Sequence, residues 1–129
     1  MVYNAKIARR RATVDLVMHM RQNQALIEAR KTVLRLQEQN AQFAKWALLE
    51  HADSEESRHI LEVLNTNEFV AVGIRERAFD EGTFKRLSRS RFIRDWDTLE
   101  IFVTEFRRSR KLDVLFTEMQ WLANRWKQP

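Results

Sequence analysis

A chain of 129 residues with 23 Lys and Arg against 18 Asp and Glu, a formal charge of +5 and 44% hydrophobic residues can bury a real core without covalent staples. The absence of cysteine excludes disulfides, thiolate metal sites and thiol nucleophiles. Two glycines and one C-terminal proline leave too little turn punctuation for a sheet, and the longest uncharged apolar run, Phe69 to Ile74, falls far short of the roughly 20 residues that span a bilayer.

Asn4 to about Arg21 reads as a first helix, with Ile7, Val14, Val17 and Met18 on one side and Lys6, Arg9, Arg10 and Arg11 opening it. This Arg-rich start lacks the apolar region and cleavage pattern of a signal peptide. Thr13 offers a different start as a capping residue, which would leave residues 1–12 as a looser arm. Asn23 is placed to cap a second helix, where Leu26, Ala29, Val33, Leu36, Phe43 and Ala47 repeat at a/d spacing with Asn40 on the same line. A break near Asn40 would divide off a short helix from Ala41 to His51.

Asp53-Ser54-Glu55-Glu56 reads as a helix start, because a capping side chain followed by acids satisfies free N–H groups and suits the positive end of the helix dipole. The helix that follows, about residues 55–79, is apolar on nearly every side. Ile60, Leu64, Ala71, Ile74 and Ala78 form one stripe, Leu61, Val72 and Phe79 a second, and Val63 and Val70 a third, interrupted by Asn65, Asn67 and Glu68. Such a helix needs neighbours around it and is the expected centre of the fold. Gly73 in its interior costs about 1 kcal/mol relative to Ala and suits a close helix crossing. Gly82 is the expected stop, with Asp80 or Thr83 capping the next helix. There Phe92, Trp96, Leu99, Val103 and Phe106 make a regular stripe that fades across Arg107 to Lys111. Leu112, Leu115, Phe116, Met119, Leu122, Ala123 and Trp126 then form a final amphipathic helix. The expected fold class is all-α: one domain over residues 1–129, a bundle of five to six helices around the buried central one.

The stretches VLNTNEFVAVGIRERAFDEGTFKR, SRFIRDWDTLEIFVTEFRR and FTEMQWLANRW, with the opening Arg10-Arg11-Ala12-Thr13, resemble the DUF4760 family, small helical bacterial and phage proteins of unknown function. The resemblance spans nearly the whole chain. It is most specific from Val63 to Ile74 and at Arg94-Asp95-Trp96, and least so over residues 22–58. It implies a helical fold and supplies no activity. Some members carry membrane-spanning helices ahead of the domain; this sequence has none, so no membrane insertion is expected.

Charge is unevenly placed: residues 1–50 carry nine basic and four acidic side chains, residues 51–81 three and eight, and residues 82–129 eleven and six. An acidic middle between basic arms suits internal complementarity. Asn65 and Glu68, three apart on one helical face, are expected to be buried. Glu68 would then pair with Arg11, Arg75 or Arg94, since a buried carboxylate must be paired, hydrogen-bonded or protonated. His51, Glu55 and His59 are spaced by four, and Glu56 to His59 makes one Glu-x-x-His, too few ligands for a carboxylate-bridged metal bundle. Lys85, Arg86, Arg89, Arg91 and Arg94 form an acid-free basic run, and Arg107, Arg108, Arg110 and Lys111 form another; either would bind a nucleic-acid backbone in a salt-dependent way. Trp46, Trp96, Trp121 and Trp126 read as core, although Trp121 lies off the main line of its helix and could join an apolar contact patch.

No nucleophile has a credible base, and no phosphate-cradling glycine loop or cofactor motif occurs, so no enzyme, cofactor or metal is expected. The expected role is a cytoplasmic interaction or regulatory module that binds a protein partner or its own copy. The surfaces for it would be the flank of the last helix or the a/d stripe of residues 26–47. The alternatives are a basic nucleic-acid-binding accessory protein and, third, a helical enzyme with its site at Glu68.

Overall fold

The computed structural model describes residues 2–129, with side chains from Asn4 onward. Five α-helices follow in order: α1 (Val2–Gln22), α2 (Gln24–Glu38), α3 (Glu55–Arg75), α4 (Glu81–Arg110) and α5 (Thr117–Lys127). Two 3-10 turns, Phe43–Ala47 and Leu49–His51, lie between α2 and α3 in place of the short helix expected there. The described residues include no strand, so the chain is all-α. None of their helices is long and apolar enough to cross a membrane.

Polar caps start three of the helices. Asn23 accepts the Leu26 N–H at 2.9 Å, Ser54 rather than Asp53 accepts the Ser57 N–H at 3.0 Å, and Asp80 accepts the Thr83 N–H at 2.9 Å. Thr13 is no cap. It lies within α1, donates its hydroxyl to the Arg9 carbonyl at 2.7 Å and accepts the Asp80 N–H at 2.8 Å, which ties α1 to the start of α4. Residues 2–12 are therefore helical, not a loose arm, although nearly every side chain from Asn4 to Arg11 is exposed.

The helix ends use no glycine. Asn40, Arg77 and Lys111 adopt left-handed φ values of 53°, 64° and 56°. Just beyond them Ala41, Ala78 and Leu112 donate back to Leu36, Gly73 and Arg107 at 2.9, 2.8 and 3.0 Å, the six-to-one bond of a Schellman ending. Arg77 accordingly closes α3 at Arg75, four residues before Phe79, and Gly82 lies in the first turn of α4. Phe79 folds back over α3, and its ring occupies the space that a Cβ on Gly73 would need. Gly73 thus admits a ring, not a crossing helix.

The core gathers the apolar faces of all five helices. Ile60, Val63, Leu64, Val70, Ala71 and Ile74 of α3 are buried, as are Leu26, Ala29, Val33 and Leu36 of α2. From α4 come Phe84, Phe92, Trp96, Leu99, Phe102 and Val103, from α5 Met119, Leu122, Ala123 and Trp126, and from α1 Val17. Each large side chain of this kind stabilises the fold by roughly 1.5–3 kcal/mol. Trp126 packs its ring 5.2 Å from that of Phe92 and 6.1 Å from that of Phe84, and its indole N–H donates to Glu81 at 2.9 Å, so no polar atom is stranded. Trp121 is half-buried under the Arg75 guanidinium, 3.9 Å from the ring centre. One side of α3 stays open, where Phe69 is 61% and Val72 41% exposed.

Candidate functional site

The polar residues expected at the centre do not form one network. Asn65 is exposed, beside a shallow depression that it shares with His19 and Phe69. Arg11 and Arg94 are exposed, and Arg75 donates to Glu118. Glu68 holds no arginine; its Oε1 accepts the backbone N–H of Met119 at 2.7 Å. That amide lies in the first turn of α5, where Phe116 supplies no side-chain cap, so Glu68 caps α5 from another helix. Burial raises the Glu68 pKa above its ordinary value, while the bonds from the Met119 and Glu118 amides pull the other way.

The buried polar network lies elsewhere. Asp95 is 8% exposed and receives Arg30 Nη1 on both carboxylate oxygens, at 3.1 and 2.9 Å. Asn67, 1% exposed, donates Nδ2 to Asp95 Oδ2 at 2.9 Å. The signal for it was in the apolar periodicity. Asp95 sits at i+3 between Phe92, Trp96 and Leu99, and Asn67 continues the line of Ile60, Val63 and Leu64. Thr32, also on an apolar stripe, hydrogen-bonds His59, while His51 packs edge-on to Trp46 at 5.1 Å. Among the described residues no three His, Asp or Glu side chains come together in a way that could hold a metal ion.

Directly over this network lies a groove of about 620 Å³ bounded by α1, α2 and the N-terminal half of α4. Val17, Leu26, Phe84 and Phe92 supply apolar lining and Asn67 a polar one. Around them stand Arg21, Arg30, Lys85, Arg86, Arg89, Arg91 and Arg94. The first basic run therefore does line one site, joined by Arg21 and Arg30 from helices distant in sequence. Of these seven cations only Arg30 has a carboxylate within 4 Å among the described residues. Arg89 also donates to the Trp126 carbonyl at 2.7 Å. Cations without a close ion pair around a concave surface focus a positive potential there.

The second basic run is occupied by the fold. Arg107 donates to the Leu115 carbonyl and to Gln120, at 2.8 and 2.9 Å, and so braces the turn into α5. Arg110 donates to the Ala47 carbonyl at 2.9 Å, Arg108 pairs with Glu105, and Lys111 is the left-handed residue that ends α4. The complementarity expected between acidic middle and basic arms is slight. Arg35–Glu56 and Arg125–Glu81 are its two ion pairs among the described residues.

Comparison with known proteins places this geometry in a family without supplying an activity. No curated protein and no solved structure matches the chain. A family model described as a domain of unknown function matches residues 1–126, and the chain belongs to that family, DUF4760.

Proposed function

We propose that the domain is a binding module rather than an enzyme, and that the groove between α1, α2 and α4 takes a phosphate-rich anion. The observation that carries this reading is the set of six cations around one concavity with no carboxylate within 4 Å among the described residues; Asp80 and Glu81 face Arg86 and Lys85 from further off. A volume near 620 Å³ falls in the usual range of ligand sites. The half-buried carboxylate Glu68 is spent on capping α5, which leaves it little scope as an acid or base. Titration with inorganic tripolyphosphate at low ionic strength tests the proposal. The triple variant Arg86→Gln/Arg91→Gln/Arg94→Gln is expected to bind at least about tenfold more weakly, and wild-type affinity to fall steeply with salt. Arg108→Gln, which removes a charge already paired, is expected to bind like wild type. Equal binding by the triple variant and wild type refutes the assignment.

A protein partner or a second copy of the chain is the other reading, favoured by the open side of α3. Phe69, 61% exposed, lies one helical turn from Val72, 41% exposed, so α3 offers two adjacent apolar side chains to a partner. Light scattering across a concentration series is expected to show an oligomer that Phe69→Ser reduces to a monomer. A wild-type chain monomeric throughout removes the self-association form of this reading.

A further inference from the structure

α1 is the least covered helix of the bundle. From Asn4 to Gln22 only Thr13 and Val17 are buried, and the first turns project with little packing to hold them. Ile7, Val14 and Met18, which are 37%, 41% and 53% exposed, fall with Asn4 and Arg11 on one outward line at a/d spacing. The open side of α3 reaches this helix, because Phe69 shares a depression with Leu16, His19 and Met20. Asp15 and His19, both exposed, carry that surface round α1 to the apolar line.

The charges on this face complement themselves. Arg11 lies within the apolar line and Asp15 beside it, and among the described residues neither has an oppositely charged group within 4 Å. A second α1 laid parallel would set Arg11 against Arg11 and Asp15 against Asp15. Laid antiparallel, it sets Ile7 against Met18 and Arg11 against Val14, with the Arg11 guanidinium beside Asp15, and two-fold symmetry repeats each contact. We infer that the protein forms an antiparallel dimer through α1, in which a second copy of the chain covers Ile7, Val14 and Met18 and reciprocal Arg11–Asp15 pairs set the register. This rests on the self-association reading above and deepens it by naming the helix, its direction and its register. One helix pair is a small interface, so the dimer is expected to be weak, on the order of micromolar.

Sedimentation equilibrium of the full chain tests this with charge reversals at exposed positions, where the fold tolerates them. Wild type is expected to dimerise, and Arg11→Asp and Asp15→Arg each to weaken the dimer at least about tenfold by setting like charges together. The double variant Arg11→Asp/Asp15→Arg is expected to regain wild-type affinity. In a parallel pair, where like charges already meet, neither single reversal would weaken the dimer, so the single variants also report the direction. Because the chain has no cysteine, Ile7→Cys/Met18→Cys gives a second readout. It is expected to become a disulfide-linked dimer on mild oxidation, whereas Met18→Cys alone stays unlinked. A dimer indifferent to both single reversals, or one linked through Met18→Cys alone, removes the antiparallel α1 pairing and leaves self-association standing. A wild-type chain that is still monomeric at millimolar concentration removes both.

Discussion

Replacing Glu68 by alanine is expected to lower the unfolding free energy by about 1–3 kcal/mol, the range for a lost cap and an amide left without its partner. The size follows from position. Phe116 starts α5 with a left-handed φ of 61° and no side-chain cap, and the Met119 N–H is satisfied by Glu68 alone among the described side chains. Asn65→Ala, three residues away on the exposed side of α3, is expected to stay within about 0.5 kcal/mol of wild type. Urea titration of both variants is the measurement, and equal losses would refute the capping role.

Glu68 also fixes a pH dependence whose direction can be stated. Its pKa is raised in the folded chain, chiefly by burial, from an ordinary 4.5. Between those two values the native state holds a proton that the unfolded chain releases, so stability falls as pH rises through the interval and levels off above it. Glu68→Gln keeps an acceptor oxygen and removes the titration. The stability of wild type relative to this variant is therefore expected to decline as pH rises above 4.5 and then to level off. A difference that does not change with pH contradicts the raised pKa.

What could be read from the sequence followed a physical division between local and long-range causes. Helix periodicity and N-caps are local, and Asn23, Asp80 and the 53–56 segment all mark real starts. Helix ends were less legible, because Asn40, Arg77 and Lys111 turn left-handed without glycine, and a surface Arg or Lys carries no compositional mark of that conformation. The expected centre at Asn65 and Glu68 rested on spacing within one helix. The burial of a polar residue, however, depends on which face other helices cover. Asn67 is covered and Asn65 is not. The basic run 85–94 was visible as a run, but its two partners Arg21 and Arg30 enter the groove only through the packing of α1 and α2.

The Arg30–Asp95–Asn67 network should produce the largest single-residue effect in the molecule. Asp95→Ala strands a guanidinium whose side chain is 22% exposed, together with the buried amide of Asn67, and a loss of about 3–5 kcal/mol is expected. Arg30→Met strands the carboxylate instead, with a loss toward the lower end of the same range. Because each single change leaves a charge behind, the double variant Arg30→Met/Asp95→Leu is expected to lose markedly less than the sum of the two, and a double-mutant cycle measures the difference. Additive losses would mean that the pair is not coupled as its 2.9 Å separation requires. The network also lies against the groove, since Arg30 and Asn67 line it and Asp95 neutralises Arg30. Asp95→Asn should therefore act in opposite directions on the two properties. The fold becomes less stable, while a released Arg30 charge raises tripolyphosphate affinity. An affinity that does not rise, in protein shown to remain folded, would mean that the groove draws nothing from Arg30 and that its cationic site is confined to α1 and α4.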